Sequence, residues 1–221
     1  MPATQGLFES FDNLDQIPPE AIARWIKPAP QLVLLENYLA NRILYPQALS
    51  LTEYDMRIDL AILREALRMH SPRPVAQRTN ALLGDSPFLN VTLRKILIPK
   101  RFLNFVPDIA SLTWAFVDAF LIERRKEDYF SDLWTLVLTD DSDEIIGSLI
   151  LPQFNRLGEI KISLSGKSYQ VKQGSALVLP CLANRCELSY KVQNGSVLGK
   201  AESAIEVYGG KLGLVIDGRS L

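Results

Sequence analysis

The sequence predicts an α+β protein, a helical N-terminal region followed by a compact, mainly antiparallel β-barrel or sandwich. Three observations lead there. Apolar residues recur every three or four positions through much of the stretch before residue 130. From Leu133 onward they fall instead into short runs, several alternating by two, separated by Gly, Asn and Pro. The composition, 48% apolar and 22% charged over 221 residues, belongs to a chain that folds and has length enough for a sizeable core. The expected organisation is a flexible or loosely docked arm over 1–16, a helical domain over 17–130 and a β-rich domain over 131–221.

The helical elements follow in order. Pro18 and Pro19 precede an apolar-periodic Glu-Ala-Ile-Ala-Arg-Trp-Ile, so a short helix with proline in its first turn is expected to end before Pro28. A second helix is expected from Gln31 to Leu44, with Leu32, Leu35, Leu39 and Ile43 as its buried face and Pro46 beyond its end. Leu51 to His70 carries the clearest helical pattern. Ser50 and Glu53 read as a capping box, and Met56, Leu60, Leu63 and Leu67 form one stripe. A shorter helix is expected from Val75 to Leu83, closed by Gly84. Phe88 to Val106 suits a helix or a strand. Pro107 then opens a helix running to about Glu127, with Ile109, Leu112, Phe116 and Phe120 supplying core bulk.

Eight strands are expected after residue 130: Leu133 to Leu138, Ile145 to Leu151, Glu159 to Leu164, Tyr169 to Val171, Ala176 to Leu179, Glu187 to Val192, Ala204 to Val207 and Lys211 to Ile216. Asp140 to Glu144 reads as a solvated hairpin tip rather than a cation site. The nonapeptides beginning at Tyr169 and Tyr190 both read Y-x-V-x-x-G-S-x-L, an echo that a pseudo-twofold barrel would produce.

Charge narrows the function classes. Residues 1–130 carry 15 basic and 15 acidic side chains and residues 131–221 carry 9 and 10, giving the net −1. Neither part is basic, which disfavours nucleic-acid binding, where phosphate neutralisation supplies much of the affinity. The first 20 residues are acidic and lack a long apolar run, unlike an export signal, so a cytoplasmic location is expected. The most apolar stretch, Ile109 to Ile122, is interrupted by Asp118 and is too short for a spanning helix, which needs about 20 residues. Cys181 and Cys186 are expected to be reduced, small apolar residues. One histidine, His70, does not suffice for a Cys/His zinc site, and it reads as a cation at a helix C-terminus. No metal or cofactor is expected.

Val171 to Pro180, with Gly174 followed by an apolar strand into proline, resembles the strand before the metal-binding histidine in cupin-type and 2-oxoglutarate oxygenase double-stranded β-helices. The resemblance implies shape alone, because Leu182 to Cys186 stands where those families place histidine. Lys167 in Ser-Gly-Lys-Ser is similar in position to the modified lysine of lipoyl and biotinyl carriers, without their flanking residues, and reads as a surface turn lysine. Gly209-Gly210-Lys211-Leu212-Gly213 lacks the following helix of a phosphate loop and reads as a strand turn.

No nucleophile–histidine arrangement, Walker pattern or zinc-protease motif occurs. The expected function is therefore non-catalytic: an adaptor or assembly factor that binds a protein partner and can oligomerise. Mean hydropathy of +0.07 and the interleaving of Arg94, Lys95, Lys100 and Arg101 with Phe102 and Phe105 point to that stretch as the contact. The alternative is a small-molecule-binding protein or metal-independent enzyme with a site in the β domain at Arg185, Asp217 and Arg219, since carboxylate and guanidinium suffice for acid/base and anion-binding work.

Overall fold

A computed structural model describes residues 7–9, 11–70, 94–106, 108–123, 132–139 and 143–219, with the backbone alone for His70, Arg94 and residues 120–123. The chain separates into two compact units, one built from residues 1–75 and 100–126 and the other from 76–99 and 127–221.

The first unit holds four α-helices among the described residues: α1 (Pro19–Ala23), α2 (Leu32–Leu44), α3 (Glu53–His70) and α4 (Ile109–Glu123). Short 3-10 helices occupy Leu14–Gln16 and Lys100–Asn104. Pro19 sits in the first turn of α1, where its missing N–H leaves no bond unmade. The cap of α3 differs from the expected Ser50 and Glu53. The Thr52 hydroxyl accepts from the Asp55 N–H while the Asp55 carboxylate accepts from the Thr52 N–H and hydroxyl. This is the same reciprocal device placed two residues later, and it leaves Ser50 for another partner. Asp108 caps α4 by accepting from the Ser111 N–H and hydroxyl.

α3 packs against α4, and α1 against α2 and α3. Ile22, Leu35, Ile62, Leu63 and Leu112 are fully buried there. Residues 7–16, expected as part of a loose arm, dock on this unit where they are described: Leu7, Phe8 and Leu14 are buried, and Phe11 stacks on Phe102 at 6.3 Å. Residues 1–6 and the expected helix over Val75 to Leu83 lie outside the described residues.

The second unit contains two sheets. Five strands, β1 (Arg94–Pro99), β2 (Leu133–Thr139), β3 (Glu144–Ile150), β9 (Gly210–Asp217) and β6 (Ala176–Cys181), lie in that spatial order. The other four are ordered β5 (Lys167–Lys172), β4 (Gln153–Leu164), β7 (Cys186–Ser196) and β8 (Glu202–Val207), all antiparallel. Of the expected barrel or sandwich, no closed barrel appears among the described residues, where both sheets remain open with β1, β6, β5 and β8 as edges. Inward-facing Ile160, Ile162, Leu188 and Tyr190 of one sheet and Leu179, Leu214 and Ile216 of the other share one apolar cluster. In β4 the buried Ile160, Ile162 and Leu164 alternate with Lys161 and Ser163, as a sheet with one wet face requires.

The ambiguous stretch before Val106 resolves at Arg94–Pro99 as a strand paired in parallel with β2. The Y-x-V echo also acquires a geometry. Tyr169 and Tyr190 are the two register partners of Ile162, and Val171 and Val192 those of Ile160. Both copies run antiparallel to β4 on its two sides, so they are related by a translation across one strand and not by a twofold axis. Their glycines differ in purpose. Gly174 turns the chain with φ of 86°, whereas Gly195 lies where a Cβ would stand 2.1 Å from the Gln153 carbonyl oxygen.

A candidate interaction surface on the second helix

α2 is where the sequence reading and the structure part. Its buried residues are Leu35, Leu39 and Arg42, whereas Leu32 and Ile43, expected in the core stripe, are exposed. The rotation has an electrostatic cause. Arg42, only 5% exposed, clamps Asp59 of α3, only 3% exposed, through Nε to Oδ1 at 2.8 Å and Nη2 to Oδ2 at 2.6 Å. This two-pronged fit of guanidinium to carboxylate holds the face of α2 that carries Arg42 against α3.

The same network fixes the connection between the two helices. Arg42 Nη1 donates to the Ala48 carbonyl at 2.6 Å and Nη2 to the Tyr38 hydroxyl at 2.7 Å. The Ser50 hydroxyl donates to Asp59 Oδ2 at 2.5 Å, and the Tyr38 hydroxyl donates to the Asp55 carbonyl at 3.2 Å. Burial raises the Asp59 carboxyl above its ordinary range, against the Ser50 hydrogen bond and the Arg42 charge, which pull it down. Burial and the nearby Asp59 charge also push the Tyr38 hydroxyl well above its usual value.

With Arg42 turned inward, the opposite side of α2 presents apolar groups to solvent. At about 3.6 residues per turn, Leu32, Val33, Ala40, Ile43 and Leu44 share one side of the helix, and Glu36 is the single charge among them. Val33 is 62% and Leu44 69% exposed. The pinned connection continues the same character, since Tyr45, Leu49 and Leu51 are exposed, the last at 90%. Scattered single apolar residues on a surface need no explanation, but this density along one helix and its following turn does. The sequence held a signal that the single-stripe reading passed over. α2 contains more large apolar residues than one buried face can take up, and a helix apolar on several sides is one meant to be covered.

The stretch expected to contact a partner is divided between the two units. Lys95 and Leu97 are exposed on β1, and the side chain of Arg94 lies outside the described set. Lys100 and Arg101 are exposed in the helical unit, where the Arg101 guanidinium lies over the Phe102 ring at 5.4 Å. Phe102 itself is 3% exposed and packs between Phe11 and Phe116, so it serves the core, and Phe105 is half-buried.

Of the alternative ligand residues, Arg219 and Asp217 meet, through Nε to Oδ1 and Nη2 to Oδ2, both 2.9 Å. Arg185 is elsewhere, paired with Glu206 at 3.3 Å and lying over the Tyr208 ring. Tyr208 precedes the start of β9 and Asp217 ends it, and that strand spans roughly 23 Å. The three residues therefore do not converge on one site. Lys167 directly follows the β4–β5 turn at Ser165 and Gly166, and Lys211 pairs with Glu144 at 2.8 Å. Cys181 and Cys186, expected as free thiols, are joined in a disulfide across the β6–β7 connection.

Among the described residues no three His, Cys, Asp or Glu side chains are grouped to hold a metal ion, and no helix is long and apolar enough to cross a membrane. No family model, characterised protein or solved structure matches the chain.

Proposed function

We propose that the chain is a non-catalytic interaction protein, an adaptor or assembly component, that associates through α2 and the α2–α3 connection. One observation carries this reading: the apolar side of α2 stays exposed while a buried Arg42–Asp59 clamp holds the opposite side inward and pins the turn bearing Leu49 and Leu51. A surface of this kind gains free energy when it is covered, at roughly 25 cal/mol for each Å2 of apolar area removed from water. The near absence of charge on it fits the depleted charge at the centre of protein interfaces.

The test is the size of the native species. Sedimentation of a native extract should place the chain in an assembly larger than one copy, and the double substitution Val33→Glu with Leu51→Glu should return it to the size of a single chain. A wild-type chain that sediments alone in the extract refutes the reading.

A further inference from the structure

We infer that the occupant of the exposed α2 side is a second copy of this chain, its α2 running antiparallel. This deepens the interaction reading above and rests on it. A twofold interface uses one patch on both subunits, so the patch must complement itself when reversed. The exposed side of α2 has that property. Reversal about residue 38 sets Leu32 against Leu44, Val33 against Ile43 and Glu36 against Ala40. Apolar side chains thus meet at both ends, and Glu36 faces a methyl group instead of its own copy, which avoids the like-charge contact that a parallel pairing would create.

Charge and area point the same way. Glu36 is the single charge on the face and it is acidic, so an anionic lipid surface, which attracts basic helices, finds no counterpart. A second apolar face of the same kind, with its charge set against a methyl group, does. Val33, Ile43, Leu44, Tyr45, Leu49 and Leu51 together expose about four side chains' worth of surface. That is on the order of 700 Å2 of exposed surface, an upper limit that comes near the ~800 Å2 per partner of a standard interface when the connection is covered together with the helix.

The experiment places a photo-crosslinking amino acid at position 44 of the full chain, where 69% exposure means the substitution leaves the core untouched. Irradiation of the purified protein and of a native extract is followed by peptide mapping. The expected product has twice the mass of the chain and joins residue 44 to residues 31–34 of the other copy. Leu44→Glu should raise the dimer dissociation constant at least tenfold with an unchanged circular dichroism spectrum. A joint from residue 44 to residue 44 overturns the antiparallel pairing. An adduct with a different protein overturns self-association while leaving the interaction reading standing, and no adduct in either sample overturns both.

Discussion

Replacing Arg42 with alanine tests whether the buried clamp determines how α2 is turned. The substitution removes both bonds to Asp59, the bond to the Ala48 carbonyl and the bond to the Tyr38 hydroxyl. Asp59 is 3% exposed in the wild-type geometry, where the Ser50 hydroxyl also donates to it. Breaking a buried pair from one side costs about 3–5 kcal/mol, because the surviving charge is left uncompensated in a medium that solvates it poorly. Replacing both partners with Arg42→Met and Asp59→Leu removes the stranded charge, so the double variant should lose less than the two single variants added together. Urea unfolding followed by far-ultraviolet circular dichroism, which reports mainly on the helices, measures wild type, Arg42→Ala, the two single variants of the pair and the double variant.

Acidity separates the electrostatic loss from a packing loss. The Asp59 carboxyl already sits above its ordinary range, and losing Arg42 raises it further. For a group with a raised folded-state value, the stabilising contribution is complete below the unfolded value and is lost as pH rises through the folded one. The deficit of Arg42→Ala relative to wild type should therefore be largest near neutrality and shrink as the pH is lowered into the range where Asp59 takes up its proton. A deficit under about 1 kcal/mol at neutral pH, strict additivity in the double variant, or a deficit independent of pH would each refute the reasoning.

Asp108→Ala should cost about 1 kcal/mol near neutral pH through loss of the α4 cap. Hydrogen bonds from Ser111 and Ala110 outweigh partial burial and hold the Asp108 carboxyl below its ordinary range. Its contribution is then present above the unfolded value of about 3.9 and lost as pH falls through the folded one, so wild type and variant should converge in acid; a gap that persists there sinks the capping account. Gly213→Ala should lower the melting temperature of the β unit sharply, since Gly213 has φ of 84° and a Cβ there would stand 2.3 Å from the Leu179 carbonyl oxygen. An alanine variant melting like wild type would show that β9 shifts freely. Thiol titration of unfolded, unreduced protein should find no free cysteine and two after reduction, and two free thiols before reduction would contradict the Cys181–Cys186 bond.

Period and punctuation are local, and what they encode was legible in the chain alone. Alternation in Glu159 to Leu164 and the turn residues Ser165 and Gly166 make β4 and its hairpin, and Pro19 with its following apolar periodicity makes α1. Each of the eight strands expected after residue 130 has its counterpart among β2 to β9. Strand neighbours were not legible in this way. The parallel pairing of β1 with β2, and of β3 with β9, depends on residues far apart in sequence, and an open sheet and a barrel share the same strand pattern.

The candidate surface shows the same division most sharply. The sequence by itself determined that residues 32 to 44 form a helix richer in large apolar groups than one stripe requires. Which of them face water was decided by Asp59, 17 residues after Arg42, because a guanidinium taken out of water must find its carboxylate. Leu35 and Leu39 lie inward with that pairing, as the stripe predicts, while Leu32 and Ile43 of the same stripe stay outside with Val33 and Leu44, which the periodicity within α2 does not record.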